Sequence, residues 1–203
     1  MVILPIAGAR LIPLEPHTDP RGRFVELYRR DRMPFEVAQA NRTEKRAGCV
    51  VGLHFHLKQV DLWYVTRGQI HAVLHDLREG SPTQGVTWQG ELDGCEIGAE
   101  DRRLCYTSAN GVPFDSLEEA MIMASVPRDR ALLIPPGVAH GFAALTDCTM
   151  IYLIDRTFDP SDELGVAWND PDIGAEWGIA EPVLSERDRG NPKRRELPPV
   201  RVP

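Results

Sequence analysis

Apolar and polar residues alternate in short runs along most of the chain, and the three-to-four-residue repeat of amphipathic helices is scarce. Period-two or short apolar runs predict strands at 23–28, 37–41, 49–56, 61–66, 70–77, 86–92, 131–134, 141–145 and 149–154. Turn signals separate them, among them Asp19-Pro20-Arg21-Gly22, Thr66-Arg67-Gly68, Glu79-Gly80-Ser81-Pro82 and Pro135-Pro136-Gly137. Many short strands at such spacing predict an antiparallel sandwich or barrel. One segment breaks the pattern. Residues 115–124 begin with Asp115, carry Glu118 and Glu119 early, and repeat apolar positions at Leu117, Ala120, Met121 and Ala124, which predicts a helix. It lies in a stretch of few strand signals, about 93–128, read as an insertion between two strands. The tail from about residue 189 sets Lys193, Arg194 and Arg195 among prolines and is expected to be extended or loosely ordered.

The 203 residues suit a single domain with a real core. Gly 17 and Pro 17 fit frequent turns and argue against a helical bundle. No apolar run is long enough to span a membrane, and the proline-broken N-terminus lacks the form of a signal peptide. Four cysteines, Cys49, Cys95, Cys105 and Cys148, form no CxxC pair, so reduced thiols and a cytoplasmic location are expected. A net charge of -7 excludes the cationic footprint that nonspecific nucleic-acid binding needs.

Chemistry-bearing residues cluster in Val51-Gly52-Leu53-His54-Phe55-His56, in Pro135-Pro136-Gly137-Val138-Ala139-His140-Gly141-Phe142, and in Trp168-Asn169-Asp170-Pro171 with Leu184-Ser185-Glu186-Arg187-Asp188. With Asp19-Pro20-Arg21-Gly22-Arg23-Phe24-Val25-Glu26, Arg67-Gly68, His75-Asp76-Leu77-Arg78, Gly80-Ser81-Pro82-Thr83, Asp159-Pro160 and Glu163, their order resembles the dTDP-4-dehydrorhamnose 3,5-epimerases of the cupin superfamily. The resemblance implies an all-β cupin jelly-roll barrel with an inserted helical segment and short C-terminal helices, assembled as a homodimer. It implies a nucleotide-sugar substrate, no cofactor, and proton abstraction alpha to a ketone with reprotonation on the other face. His54 would be the base, Asp188 the carboxylate that fixes its tautomer, and Tyr152 the general acid. Phe158 would stack on the nucleobase. Arg21, Glu26, Gln39, Asn41, His56, Asp61 and His140 would contact substrate, with Arg21 and Glu26 reaching it from either subunit of the dimer. The apolar residues 2–6 offer a strand for pairing with the second subunit. Taken singly, His54, Tyr152 and Asp188 read as a core histidine, a core aromatic and a surface acid, and only their joint order points to catalysis.

Two positions depart from the family. Val51 stands where the resemblance implies an arginine, and Asp61 where it implies a lysine that steadies the enolate. A carboxylate there reverses the sign of the local field. The same region carries a second pattern. His54-x-His56 places two imidazoles on one strand face, Asp61 follows on the next strand, and His140 sits in Pro135-x-Gly137-x-x-His140. That set resembles the metal-binding motifs of many cupins and suits one divalent transition metal. His71 and His75 share a face and read as pocket-lining or solvated, and the four tryptophans as structural. Three functions stay open: the epimerase, a metal-dependent cupin acting on a small polar substrate through His54, His56, Asp61 and His140, and a catalytically silent sugar-nucleotide binder.

Overall fold

A computed structural model describes residues 2–94 and 129–203. The predicted helix at 115–124 and most of the 93–128 insertion lie outside the described residues. Thirteen strands are described: β1 (Val2–Ile3), β2 (Arg10–Pro13), β3 (Pro16–Asp19), β4 (Gly22–Val25), β5 (Gln39–Lys45), β6 (Val50–Phe55), β7 (Asp61–Arg67), β8 (Gln69–Asp76), β9 (Thr87–Asp93), β10 (Arg130–Ile134), β11 (Val138–Ala144), β12 (Cys148–Ile154) and β13 (Leu164–Gly165). One short helix, α1 (Glu186–Gly190), and a 3-10 turn at Arg194–Glu196 follow.

The strands form a six-stranded sheet, β1-β2-β10-β7-β12-β5, facing a five-stranded sheet, β13-β6-β11-β8-β9, with β3-β4 as a separate hairpin. This is a jelly roll, the architecture expected from the sequence. Between the sheets one end is filled by apolar side chains, including Leu11, Val65, Ile70, Leu74, Leu132 and Ile134. The other end stays open as a cavity. The outer face of the five-stranded sheet is covered by the C-terminal third, where Val166, Ile173 and Trp177 pack on Leu53, Val73 and Ala143. The outer face of the six-stranded sheet is covered by Leu27, Met33 and Phe35 packed around Leu62 and Leu133. With both faces covered, strands such as β10 and β11 are buried along their whole length, which is why their sequences read as unbroken apolar runs.

The N-terminal residues pair within the chain, β1 with β2, and Leu4 and Ile6 are buried, while β1 stands at the edge of its sheet with Ile3 exposed. The tail is extended but docked. Val200 is buried, bridges to Arg78, and its carbonyl accepts from the Glu79 N–H. Among the described residues no helix is long and apolar enough to cross a membrane.

Candidate active site

Strand alternation builds the cavity wall. β5 contributes Gln39, Asn41, Thr43 and Lys45, β7 contributes Asp61 and Trp63, and β12 contributes Met150, Tyr152 and Ile154, each set at every second residue. The opposite sheet supplies Val51 and His54 from β6, His56 from just past its end, and His140 and Phe142 from β11. Together they enclose about 440 Å³. Val51 and His54 are three apart, so regular pleating would send them to opposite faces. The β6–β11 pairing slips instead, His140 opposing His54 and Phe142 opposing Val51, so β6 carries one extra residue there. Gly52 sits in the slip at φ +115°, and a Cβ would lie 2.8 Å from the Gly141 Cα and the His140 carbonyl oxygen. Glycine is required at that position by both backbone and space.

His54 Nε2 lies 2.6 Å from Asp188 Oδ1. The carboxylate can only accept, so Nε2 carries the proton and Nδ1 keeps its lone pair. Asp188 is held at the start of α1, where Ser185 caps its N–H at 3.1 Å. Burial opposes its ionisation, yet hydrogen bonds from His54, Ser185 and the Gly52 N–H outweigh that and hold its carboxyl below the usual range. On the other side of the ring, Glu163 Oε1 stands 3.6 Å from His54 Nδ1 and 2.9 Å from Arg187 Nη1. Tyr152 reaches the same cavity from the facing sheet. Its phenol is pushed up by burial and by the negative charges of Asp61 and Glu163, and so stays protonated at neutral pH.

A second cluster lies beside this one. His56, Asp61 and His140 each turn a ligand atom to a common point, within 4.8 Å of one another. His56 donates Nδ1–H to the Asp162 carbonyl and His140 donates Nδ1–H to the Val138 carbonyl, both at 2.9 Å. Asp61 is buried and accepts from Gln59 Nε2 at 3.0 Å and from the Trp63 side chain. Burial raises its carboxyl, against the pull of His56 and those hydrogen bonds. His140 is held well below the ordinary imidazole range, first by burial and then by His56 and His54. The four-residue metal set read from the sequence thus shrinks to three. His54 is not among the residues whose ligand atoms gather there, and its Nδ1 faces Glu163 instead.

Other predicted residues divide. Gln39 accepts from the Phe158 N–H at 2.9 Å and donates to Asn41 Oδ1 at 2.8 Å, so these three stand together at the cavity mouth. The Phe158 ring is 57% exposed there. Arg21 and Glu26 do not line the cavity of their own chain: Arg21 is exposed and paired with Asp19, and Glu26 lines a separate cleft with Arg29 and Arg32. His71 and His75 also lie off the cavity, bonded to Gln89 and Thr87. Trp63, read as structural, forms cavity wall and meets His140 edge-on with ring centres 5.3 Å apart. Sequence reasoning missed Glu163 and Lys45 as site residues. Alternation along β5 was the available signal for Lys45, and Glu163 was read as part of the family's order of motifs without being assigned to the site.

A sequence model of the dTDP-4-dehydrorhamnose 3,5-epimerase family matches residues 3–112 and 114–196, and so continues into the stretch read as an insertion. A dTDP-4-dehydrorhamnose 3-epimerase of Streptomyces niveus is 34% identical over 197 residues, 92% of this chain and 79% of the relative. A dTDP-4-dehydrorhamnose 3,5-epimerase of Methanothermobacter thermautotrophicus is 31% identical over 202 residues, 94% of this chain and 92% of the relative. Among solved structures, NovW, a 4-keto-6-deoxy sugar epimerase of Streptomyces spheroides, superposes with a TM-score of 0.75 at 31% identity, covering 96% of this chain and 87% of its own. The 3'-monoepimerase ChmJ of Streptomyces bikiniensis, solved with dTDP-quinovose, gives 0.74 at 28% identity, covering 96% and 88%. On the matched length and these identities, the chain belongs to the dTDP-4-dehydrorhamnose 3,5-epimerase family.

Proposed function

We propose that the protein is an isomerase of nucleotide-linked 4-keto-6-deoxyhexoses, thymidine diphosphate being the carrier in the named relatives. The observation that carries this reading is the placing of a base and an acid on facing walls: His54 on β6 in one sheet, Tyr152 on β12 in the other, lining a single cavity. Inverting a carbon alpha to a ketone needs a proton removed from one face and another delivered to the opposite face. His54 Nδ1 takes the proton and the electron pair moves into an enolate. The imidazolium then lies between Asp188 and Glu163, which favour its charge. The Tyr152 O–H delivers the second proton to the other side of the ring, and solvent restores both groups to their starting states. Phe158 with Gln39 and Asn41 suits a nucleobase at the mouth, a contact indifferent to which base it is. A homodimer, in which the β3-β4 hairpin carries Arg21 to the second subunit's cavity, is part of the proposal. It is supported by that hairpin's separation from both sheets and by the exposed Phe24.

The test is solvent deuterium exchange. Incubated with a dTDP-4-keto-6-deoxyhexose in heavy water, the protein is expected to wash deuterium into C3, C5 or both, and His54→Asn to abolish it. Absence of exchange with every substrate of this class sinks the reading.

A further inference from the structure

We propose that His56, Asp61 and His140 bind one divalent first-row transition-metal ion in the cavity wall, beside the His54–Asp188 pair. What the ion contributes to the reaction rests on the epimerase reading; that it binds does not.

The donor set comes from both sheets, Asp61 on β7, His140 on β11 and His56 just past the end of β6, and the three ligand atoms lie within 4.8 Å of one another. At ordinary metal–nitrogen bonds of about 2.1 Å, closing such a triangle onto one ion needs only small shifts. The two imidazoles are prepared alike. Each spends Nδ1–H on a backbone carbonyl, which fixes the tautomer that leaves Nε2 as a lone pair. Among the described residues neither Nε2 has a hydrogen-bond partner. The carboxylate is likewise oriented by neutral donors, Gln59 and the Trp63 side chain.

Asp61 is 3% exposed, and among the described residues no lysine or arginine pairs with it. A buried carboxylate left without a cation is costly by several kcal/mol. There are two alternatives. An Asp61 carboxyl that keeps its proton leaves both imidazole lone pairs unused. An imidazolium at His56 has its Nε2 3.8 Å from Asp61 Oδ2, beyond hydrogen-bond reach, and would face His140 with ring centres 5.3 Å apart. A dication between the three satisfies the carboxylate and both lone pairs at once. Two imidazoles and one carboxylate suit Fe(II), Mn(II), Ni(II) or Zn(II), and three protein ligands leave room for water or a substrate oxygen. The charge balance is the telling point. One carboxylate and a dication sum to a single positive charge, the charge of the lysine that the family resemblance implies at position 61. When bound, the ion polarises a ketone oxygen and steadies the negative charge that develops on it.

The experiment uses full-length untagged protein, purified without chelator. Elemental analysis is expected to find about one equivalent of metal, falling below about a tenth in Asp61→Asn and in His56→Gln with melting curves verifying the folds. After stripping and anaerobic loading with Co(II), wild type is expected to show a visible d–d absorption that Asp61→Asn lacks. Stripping should lower deuterium exchange roughly a hundredfold. Asp61→Lys, which exchanges a ligand for a fixed cation, should bind no metal and exchange deuterium regardless of chelator. Wild type that takes up less than about a tenth of an equivalent from excess Zn(II), Mn(II) or Fe(II), or that loads no better than Asp61→Asn, overturns the proposal. Metal-free protein that exchanges at full rate overturns the ion's part in the reaction, not its binding, and leaves the epimerase reading standing; loaded protein that never exchanges overturns the epimerase reading and leaves the site standing.

Discussion

On one flank of the cavity His54 stands between the carboxylates of Asp188 and Glu163; on the other, Asp61 lies buried against His56 and His140. The first flank keeps the residues that the family resemblance implies; on the second His140 stays, but Asp61 stands where the resemblance implies a lysine. The difference follows from what each must do. Moving a proton to and from carbon needs a particular lone pair at a particular atom, and few side chains supply it near neutral pH. Steadying an enolate needs only positive charge at the right place, which a lysine, an arginine or a bound cation can each provide. Proton-handling positions are therefore hard to exchange, while charge-stabilising positions are free to change chemistry if the sign survives.

The sharpest way to break that division is to remove one group from the conserved flank. His54→Asn should lower deuterium exchange by roughly 10³ to 10⁴ and Asp188→Asn by roughly 10² to 10³, since each loses the base or its tautomer. Asp61→Asn should cost less than His54→Asn in the same assay. Equal losses on the two flanks would mean that they do not divide the work as described.

Acid inactivation blurs this contrast unless the scaffold is measured separately. His75 on β8 donates Nδ1–H to the Thr87 hydroxyl at 2.8 Å, and that hydroxyl donates to the Ile173 carbonyl. Burial, with Arg194 adding and with Asp76 and Asp170 opposing, lowers its imidazole to about 4. The folded protein thus resists a proton that the unfolded chain accepts near 6.5. Stability is complete above that pH and drains away as the pH falls towards about 4, by on the order of 3 kcal/mol. Urea midpoints taken between pH 7 and pH 4 should trace that slope, and His75→Gln should flatten it. An unchanged slope in the variant would assign the loss to another group.

Much of this was legible in the sequence, for identifiable reasons. The nine strands from Arg23 to Ile154 were readable because their inner and outer faces alternate or run fully apolar. β2 and β3 escaped because Pro13 and Pro16 interrupt the pattern, and β13 because two residues carry no period. The neighbours His56, Asp61 and His140 were readable from their likeness to cupin metal-binding motifs, with strand parity adding that His54 and His56 share a face. That His54 leaves their set was not, because its partner lies 134 residues away, a closure decided by the packing of the C-terminal third. The contact of Glu163 with His54 was hidden for the same reason, although Glu163 itself stood among the motif residues.

Glu163 joins the two flanks and so gives a smaller, more discriminating test. Its carboxylate is 3.6 Å from His54 Nδ1 and 3.7 Å from His56 Nδ1, with Arg187 at 2.9 Å behind it. Glu163→Gln keeps the shape and removes the charge that favours the His54 imidazolium, so exchange should fall about tenfold. Metal content should hold, because Glu163 is not among the three proposed ligands. A fall in metal content without a fall in exchange would tie this residue to the other flank.

The smallest effect expected concerns the end of the cavity where the family's arginine is absent. Val51 on β6 and Lys45 on β5 line the same cavity from facing sheets, and among the described residues Lys45 is the only lysine or arginine that lines it. An arginine at 51 and a lysine at 45 present the same sign to that space from opposite walls. Lys45→Met keeps the length and apolar stem of the side chain while deleting the charge. It should weaken substrate use by about five- to thirtyfold, the range of a single charge-assisted contact, read mainly in KM if the contact is to the diphosphate and in kcat if it is to the enolate. Adding Val51→Arg to Lys45→Met should recover most of the loss, because the cation returns from the other wall. A loss under about twofold for Lys45→Met, or a double variant no better than the single one, would mean that the lysine is merely solvated and that the charge at this end was given up rather than moved.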